Sequence, residues 1–227
     1  MRFAALQKTS LIDYPNAICA VLYTQGCNFR CPYCHNPELV ENNPAAECYD
    51  ELYVLNFLNS RVGKLDAVTI TGGEPTLHKD LHGFIEKIKS MGFLVKLDTN
   101  GTNPEMLEKL VNTVDYVAMD IKAPLNKYKQ VVRAPVDNKA IKRSIMIIKE
   151  SKADYEFRST IVESQLTVDD ILEMGSLLKK AKRYFLQSFV PNRTLDKAFG
   201  YAHTYPQDTL KYLASIIQQS ISECRIR

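Results

Sequence analysis

The chain has 227 residues, of which 45% are hydrophobic and 24% are charged, and its formal net charge is +3. These proportions predict a soluble globular protein with one domain covering residues 1–227, and the small net charge gives no indication of nucleic-acid binding. Residues 1–8 lack a signal-peptide pattern, and no apolar run approaches the roughly 18 residues that a membrane span needs. We therefore expect a cytoplasmic protein whose six cysteines are thiols or metal ligands rather than disulfides.

Short β-rich runs alternate with helical patterns from residue 18 to the end of the chain. Most of these runs are almost continuously apolar, which is typical of parallel strands that helices cover. The predicted strands are Ile18–Tyr23, Ala67–Thr71, Phe93–Asp98, Tyr116–Ile121, Tyr155–Ile161 and Tyr184–Phe189.

The segments between these strands carry apolar residues at helical spacing. Helices are predicted around Leu81–Ile88 and Leu107–Val114, and a last helix is predicted at about 208–222. Asn103–Glu105 indicates a helix start, with a capping amide, a proline and an acidic residue in order, and Thr167–Asp170 indicates another more weakly.

Six successive βα units fit either a partial barrel or a doubly wound sheet. Each predicted strand ends in polar or glycine-rich sequence, as the working ends of barrel strands do. Because side chains alternate along a strand, Arg158 and Thr160 share one face, and so do Asp120 and Lys122. Unpaired charges are costly in a packed core, so these residues indicate a polar cavity. We predict a partial (β/α)6 TIM-type barrel whose core covers about residues 16–190.

The segment Cys27-Asn28-Phe29-Arg30-Cys31-Pro32-Tyr33-Cys34 contains three cysteines in a C-x3-C-x2-C spacing. A [4Fe–4S] cluster has four irons, and an electron-transfer protein normally gives each iron a thiolate. Three thiolates leave one iron open to a substrate or cofactor. A zinc site that adds His35, or a set of buried thiols, are the alternatives; adjacent residues rarely reach one tetrahedral metal together, and this loop is polar. The spacing favours a catalytic iron–sulfur cluster.

Together with Gly72-Gly73-Glu74-Pro75, this loop resembles the radical S-adenosylmethionine superfamily. Segments 8–15 and 24–37 resemble the activating proteins of anaerobic ribonucleoside-triphosphate reductase. Asp98-Thr99-Asn100-Gly101 and Asp120-Ile121-Lys122 also resemble the pyruvate formate-lyase activating enzyme, and the likeness covers about residues 8–190.

The resemblance implies a cluster held by Cys27, Cys31 and Cys34, with S-adenosylmethionine chelating the open iron through its amino and carboxylate groups. One electron from the reduced cluster would cleave this cofactor to methionine and a 5′-deoxyadenosyl radical. Gly72 and Gly73 would let the backbone approach the methionyl amino group. The alternative for these two glycines is a plain turn after a strand.

The resemblance also assigns side chains to the cofactor. Tyr33 would lie near the adenine, and Glu74 would add charge or a hydrogen bond at the amino group. Four residues match positions used around the methionyl carboxylate and a nearby monovalent cation, namely Asp98, Thr99, Asp120 and Lys122, and Arg158 is a further candidate. A structural Asp–Lys pair that closes the barrel is the alternative.

The implied reaction is hydrogen abstraction from a glycine α-carbon of a partner glycyl-radical enzyme, for which the resemblance suggests anaerobic ribonucleotide reductase. A flavodoxin or ferredoxin would be an ordinary electron donor. A second hypothesis is radical chemistry on a small molecule, as in the 7-carboxy-7-deazaguanine synthases. A third, of another class, is a non-enzymatic iron–sulfur electron carrier or a zinc-binding interaction module.

Overall fold

The computed structural model describes residues 1–40 and 48–227. The strands are β1 (Arg2–Ser10), β2 (Cys19–Thr24), β3 (Tyr49–Asp50), β4 (Ala67–Gly72), β5 (Leu94–Thr99), β6 (Tyr116–Asp120), β7 (Asp154–Ile161), β8 (Arg183–Ser188) and β9 (Glu223–Ile226). These strands form one sheet in the order β3-β1-β2-β4-β5-β6-β7-β8-β9. The helices are α1 (Glu51–Asn59), α2 (Leu81–Ser90), α3 (Pro104–Leu110), α4 (Tyr128–Val132), α5 (Asn138–Glu150), α6 (Val168–Leu177) and α7 (Gln207–Ile217).

The predicted partial barrel is confirmed. All six predicted strands are present as β2 and β4–β8, and each pairs in parallel with its neighbour in the sheet. Parallel strands need a crossover connection, and helices occupy these connections along the outer face. The carboxyl ends of the six strands therefore open toward the same rim.

Three strands extend the sheet beyond the prediction. β1 pairs antiparallel with β2, the two-residue β3 pairs with the start of β1, and β9 adds in parallel to β8. The helix predicted at about 208–222 was too long, because α7 ends at Ile217. A turn follows, in which the Ser220 N–H donates to the Ile217 carbonyl, and Glu223 then starts the ladder with β8.

Alternation along the strands divides the core between the two faces of the sheet. On β2, Ala20 and Leu22 face the helices and join the large core, whereas Cys19 and Val21 face the barrel interior. The interior cluster is small and lies toward the amino ends of the strands; its buried members are Tyr14, Cys19, Val21, Ala67, Tyr116 and Ala118. The carboxyl half of the interior is left for polar residues.

Both predicted helix starts are confirmed by side-chain caps. The Asn103 side chain accepts a hydrogen bond from the Met106 N–H, and Thr167 and Asp170 form a reciprocal capping box. Each such cap stabilises a helix by about 1 kcal/mol. Among the described residues, no helix has the length and apolar character needed to cross a membrane.

Candidate functional site

The cysteine loop leaves the carboxyl end of β2 and is held mainly by backbone hydrogen bonds. The Cys27 N–H donates to the Val40 carbonyl at 3.1 Å, and the Cys34 carbonyl accepts from the Leu195 N–H at 3.0 Å. Cys31 is buried, whereas Cys27 and Cys34 are half-buried. The loop is therefore fixed from both sides, and its three thiols face inward with little solvent access.

All the predicted site residues line one cavity of about 240 Å³ at the rim. The walls come from the cysteine loop and from the carboxyl ends of β4, β5, β6 and β7. The predicted members are Cys27, Cys31, Tyr33, Cys34, Gly72, Gly73, Glu74, Asp98, Thr99, Asp120, Lys122 and Arg158. The barrel topology thus brings together residues that lie up to about 130 positions apart in the sequence.

The thiols do not converge as a single-ion site would require. Within residues 1–40 and 48–227, no three His, Cys, Asp or Glu side chains are placed to hold one metal ion. A cubane cluster needs no such convergence, because each cysteine binds a different iron. A cluster on Cys27, Cys31 and Cys34 therefore stays a prediction that rests on their spacing in the sequence.

The two glycines after β4 pack against backbone. A Cβ at Gly73 would lie 2.0 Å from the Gly26 carbonyl oxygen, and one at Gly72 would lie 2.4 Å from the Thr24 nitrogen. Gly72 also has a φ of +115°, which favours glycine. The Glu74 N–H donates to the Gly26 carbonyl at 2.8 Å. The glycines therefore join the end of β4 to the residues just before Cys27, a packing requirement in addition to any approach to a ligand.

Glu74 is buried and its carboxylate bridges two loops. It accepts from the Thr76 N–H at 3.1 Å, from the Thr99 hydroxyl at 2.8 Å and from the Asn100 N–H at 2.6 Å. Burial raises the pKa of Glu74, although these hydrogen bonds oppose the shift. The carboxylate thus holds the loop after β5 against the loop after β4.

A chain of charged side chains forms the wall of the cavity at β5, β6 and β7. Arg158 donates from Nε to Asp120 Oδ1 at 2.9 Å and from Nη1 to Asp98 Oδ2 at 3.2 Å. Lys122 Nζ donates to Asp120 Oδ2 at 2.9 Å. Lys96 Nζ lies 2.8 Å from Asp98 Oδ1, close enough for an ion pair but without hydrogen-bond geometry. Three cations thus face two carboxylates, and the cluster carries one excess positive charge.

The pKa shifts in this cluster follow from burial and pairing. Burial alone would raise the pKa of Asp120, but Arg158 and Lys122 lower it below its ordinary value. Burial would also raise the pKa of Asp98, but Arg158 and Lys96 lower it below its ordinary value. Burial would lower the pKa of Lys122, but Asp120 raises it well above its ordinary value. Asp98, Asp120 and Lys122 therefore remain charged near neutral pH.

Thr99 and Tyr33, both predicted to contact the cofactor, differ in whether the hydroxyl group already has a hydrogen-bond partner. The Thr99 hydroxyl is engaged by Glu74 and accepts from the Gly101 N–H at 3.1 Å. The Tyr33 hydroxyl is buried and has no hydrogen-bond partner in the part of the chain that the structure describes. Its ring lies edge-on to Phe189, with centroids 6.5 Å apart. Tyr33 therefore combines packing beside the loop with a free polar atom at the cavity.

Sequence reasoning missed two buried polar residues that complete the site, Lys96 and Asn100. Lys96 is 4% exposed and occurs within an apolar strand, where its alternation with Asp98 was the available signal. Asn100 is 6% exposed and belongs to the same segment as Asp98 and Thr99, but its role depends on contacts with the cysteine loop. A pattern within one strand does not reveal such contacts.

Comparison with known proteins places this geometry in a family. The model of the Radical SAM superfamily matches residues 21–178 of the chain. The chain therefore belongs to the radical SAM superfamily, whose members are enzymes that use a [4Fe–4S] cluster and S-adenosylmethionine.

The most similar curated relatives include a Methanocaldococcus jannaschii protein, itself assigned only provisionally as a glycyl-radical enzyme activating enzyme. It is 35% identical over 226 residues, which cover 96% of this chain and 92% of the relative. The pyruvate formate-lyase-activating enzyme of Streptococcus mutans is 28% identical and covers 77% of this chain and 71% of its own. The 7-carboxy-7-deazaguanine synthase of Thermococcus kodakarensis is 29% identical, covering 68% and 67%.

Solved structures support the fold. Streptococcus suis SuiB bound to S-adenosylmethionine superposes with a TM-score of 0.67 at 15% identity, covering 91% of this chain and 49% of SuiB. TYW1 with a bound lysine-pyruvate adduct gives a TM-score of 0.61 at 19% identity, covering 90% of this chain and 74% of TYW1. At these identities the likeness concerns the barrel alone.

Proposed function

We propose that this chain is a glycyl-radical enzyme activating enzyme. The observation that carries the proposal is the meeting of three thiols and an ion-paired cationic cluster in one cavity. The similarity to activating enzymes, over 96% of this chain for one relative and 77% for another, supports the same reaction class. When bound, a [4Fe–4S] cluster and S-adenosylmethionine would supply a 5′-deoxyadenosyl radical that removes a hydrogen atom from a glycine α-carbon of the partner.

The residues present fit these cofactors. Cys27, Cys31 and Cys34 would each ligate one iron, and the loop offers soft thiolate ligands suited to an iron–sulfur cluster. Lys122 lines the cavity and suits the methionyl carboxylate, since a lysine ammonium acts as a compact point charge. The unpartnered Tyr33 hydroxyl leaves one buried polar atom for the cofactor.

The remaining wall residues would orient rather than react. Gly72 and Gly73 would keep the backbone of β4 close to the cysteine loop, and Glu74 and Thr99 would hold the loops after β4 and β5 together. The Glu74 carboxylate already accepts four hydrogen bonds, three of them at Oε1, so it would bind the amino group at most through the second lone pair of Oε2.

A monovalent cation between Asp98 and Asp120 stays a proposal. Both carboxylates already pair with Arg158, and each has a lysine partner as well. A cation would have to compete with Arg158 for the same oxygens, and the guanidinium would have to move.

Anaerobic ribonucleotide reductase is our proposed partner, and a flavodoxin or ferredoxin is the proposed electron donor. The partner rests on the sequence resemblance of residues 8–37 to the activators of that reductase. Residues 1–227 would act as one catalytic domain, because all strands of the described residues belong to one sheet.

Anaerobic reconstitution with iron and sulfide tests the proposal. We expect an electron paramagnetic resonance spectrum of the reduced cluster that changes on adding S-adenosylmethionine, and a glycyl-radical signal on the reductase. A C31A variant is the matched control and should lose the cluster. A spectrum that S-adenosylmethionine leaves unchanged would support the electron-carrier hypothesis and would refute the enzyme.

A small-molecule substrate is the second candidate, favoured by the similarity to the 7-carboxy-7-deazaguanine synthase over 68% of this chain. The two candidates differ in what consumes the radical. Formation of 5′-deoxyadenosine that depends on a small molecule, with no glycyl radical on any candidate partner, would select the second candidate over the first.

A further inference from the structure

Three side chains form a closed ring of hydrogen bonds between the cysteine loop and the loop after β5. The Asn100 amide nitrogen donates to Asn28 Oδ1 at 2.9 Å. The Asn28 amide nitrogen donates to Thr102 Oγ1 at 2.8 Å, and the Thr102 hydroxyl donates to Asn100 Oδ1 at 2.7 Å. The ring fixes the Asn100 side chain beside the cysteine loop.

The orientation of the Asn100 amide is determined by its partners. Its Oδ1 also accepts from the backbone N–H of Thr102 at 3.0 Å, and a backbone N–H can only donate. The oxygen must therefore face Thr102, and the NH₂ group must face the cysteine loop. The backbone of Asn100 is held as well, because its N–H donates to Glu74 Oε2 at 2.6 Å.

One N–H of that NH₂ group is used by Asn28, and the amide nitrogen also lies 4.0 Å from Sγ of Cys27. The backbone N–H of Phe29 points at the same sulfur, with its nitrogen 3.4 Å away. Two N–H groups, from the Phe29 backbone and the Asn100 side chain, therefore converge on the Cys27 sulfur.

We propose that Asn100 is a positioning residue that donates a hydrogen bond to the Cys27 thiolate and raises the reduction potential of the cluster. The inference rests on the proposed function, because it needs the cluster on Cys27, Cys31 and Cys34. Hydrogen bonds to ligand sulfurs are among the factors that set the potential of iron–sulfur clusters. The added electron makes the sulfurs more negative, so an N–H donor stabilises the reduced cluster more than the oxidised one.

The test is a redox titration of the reconstituted protein with photoreduced deazaflavin, followed by electron paramagnetic resonance. N100L keeps a similar side-chain volume but has no donor, and we expect a more negative midpoint potential. A change of about tenfold in the reduced-to-oxidised ratio, or about 59 mV for one electron, is the expected size. N100D, which replaces the donor by a carboxylate of the same shape, should shift the potential in the same direction.

T102V is the matched control. It removes two hydrogen bonds of the ring and leaves the Asn100 amide, together with its bond from the Thr102 N–H, in place. We expect its potential to match that of the unmodified protein. Electron–nuclear double resonance of the reduced cluster should show one exchangeable-proton coupling lost in N100L and kept in T102V.

The outcomes separate the two proposals. A cluster that binds S-adenosylmethionine but has the same potential in N100L, N100D and the unmodified protein refutes the role of Asn100 and leaves the proposed function standing. An equal shift in T102V and N100L also refutes it, because loop packing would then explain the change. Failure of the unmodified protein to assemble a cluster overturns both. Thermal melts of each variant identify any that do not fold. If N100L does not fold, the exchangeable-proton coupling of N100D decides, because the added carboxylate lowers the potential by its charge alone: a lost coupling supports the role of Asn100 and a retained one refutes it.

Discussion

The two walls of the cavity are built by different interactions. The wall at the cysteine loop is held by backbone hydrogen bonds and by glycines that pack against carbonyl groups. The wall at β5–β7 is held by ion pairs among Lys96, Asp98, Asp120, Lys122 and Arg158. The first wall depends on residues having no side chain, and the second depends on side chains that compensate one another's charge. Substitutions should therefore damage the two walls through different physical effects.

The largest effect is expected for G73A. The added Cβ would meet the Gly26 carbonyl at 2.0 Å, and a backbone atom cannot rotate away as a side chain can. We expect a loss of about 3 kcal/mol in the free energy of unfolding, together with loss of cluster loading. Urea denaturation and iron content measure the two effects.

G83A is the matched control for that substitution. Gly83 lies in α2, and a Cβ there would meet nothing within 4 Å. Alanine is favoured over glycine in a helix, so the free energy of unfolding of this variant should rise by about 1 kcal/mol. If G73A and G83A had the same free energy of unfolding and the same iron content, the close packing of Gly73 against Gly26 would not contribute to stability.

R158M tests the opposite wall. It removes the guanidinium that both Asp98 and Asp120 share and leaves each carboxylate with one lysine. Removing one partner of a buried pair costs about 3 to 5 kcal/mol, and the retained lysines should reduce the loss to about 2 kcal/mol. Urea denaturation at neutral pH measures it.

R158K is the accompanying variant, since it keeps the charge but cannot bond both carboxylates in a fork. Its free energy of unfolding should lie between those of R158M and the unmodified protein. An R158M variant as stable as the unmodified protein would mean that this wall contributes no net pairing energy.

The pH dependence of D120N is the third prediction. The folded-state pKa of Asp120 is depressed below its ordinary value of 3.8, so its contribution is fully present above that pH and is lost as the pH falls through the folded-state pKa. D120N should be about 1.5 kcal/mol less stable than the unmodified protein at pH 7.

That difference should shrink as the pH falls below about 4. Denaturation of both proteins at pH 7 and pH 3 is the measurement. A gap that stays constant between these two pH values would contradict the assignment of the depressed pKa to Asp120.

The smallest effect is expected for T167A, which removes the cap of α6 at a residue that is not part of the cavity lining. The loss should be about 1 kcal/mol in the free energy of unfolding, with unchanged iron content. This variant separates general destabilisation from damage to the cavity. A loss of iron in T167A would mean that cluster loading simply follows global stability.

The strands of the barrel could be predicted because their apolar runs are long and their polar residues come at the ends. β1 was missed because it mixes exposed and buried residues, as an antiparallel strand near the sheet edge does. The end of α7 was misplaced because Ile217 and Ile221 continue a helical spacing although Ile221 packs after the turn that follows α7. Local periodicity does not separate these cases.

The members of the site could be predicted, but their partners could not. The shared faces of Asp120, Lys122 and Arg158 follow from strand alternation alone. The bridging of two loops by Glu74 and the closed ring at Asn100 depend on which loops the barrel brings together. Those contacts join residues about 25 to 72 positions apart, beyond any pattern within one element.

The linear order of the sheet has a mechanical consequence. In the described residues, β3 and β9 end the sheet and share no ladder hydrogen bonds, so the curved wall is a strip and not a closed ring. The circumference of a closed barrel is fixed by its strand number and stagger. An open sheet can widen or narrow by small changes of twist between neighbouring strands while the hydrogen bonds between those strands stay intact. The width of the open rim is therefore not fixed by strand number and stagger alone, and it depends on the twist between neighbouring strands.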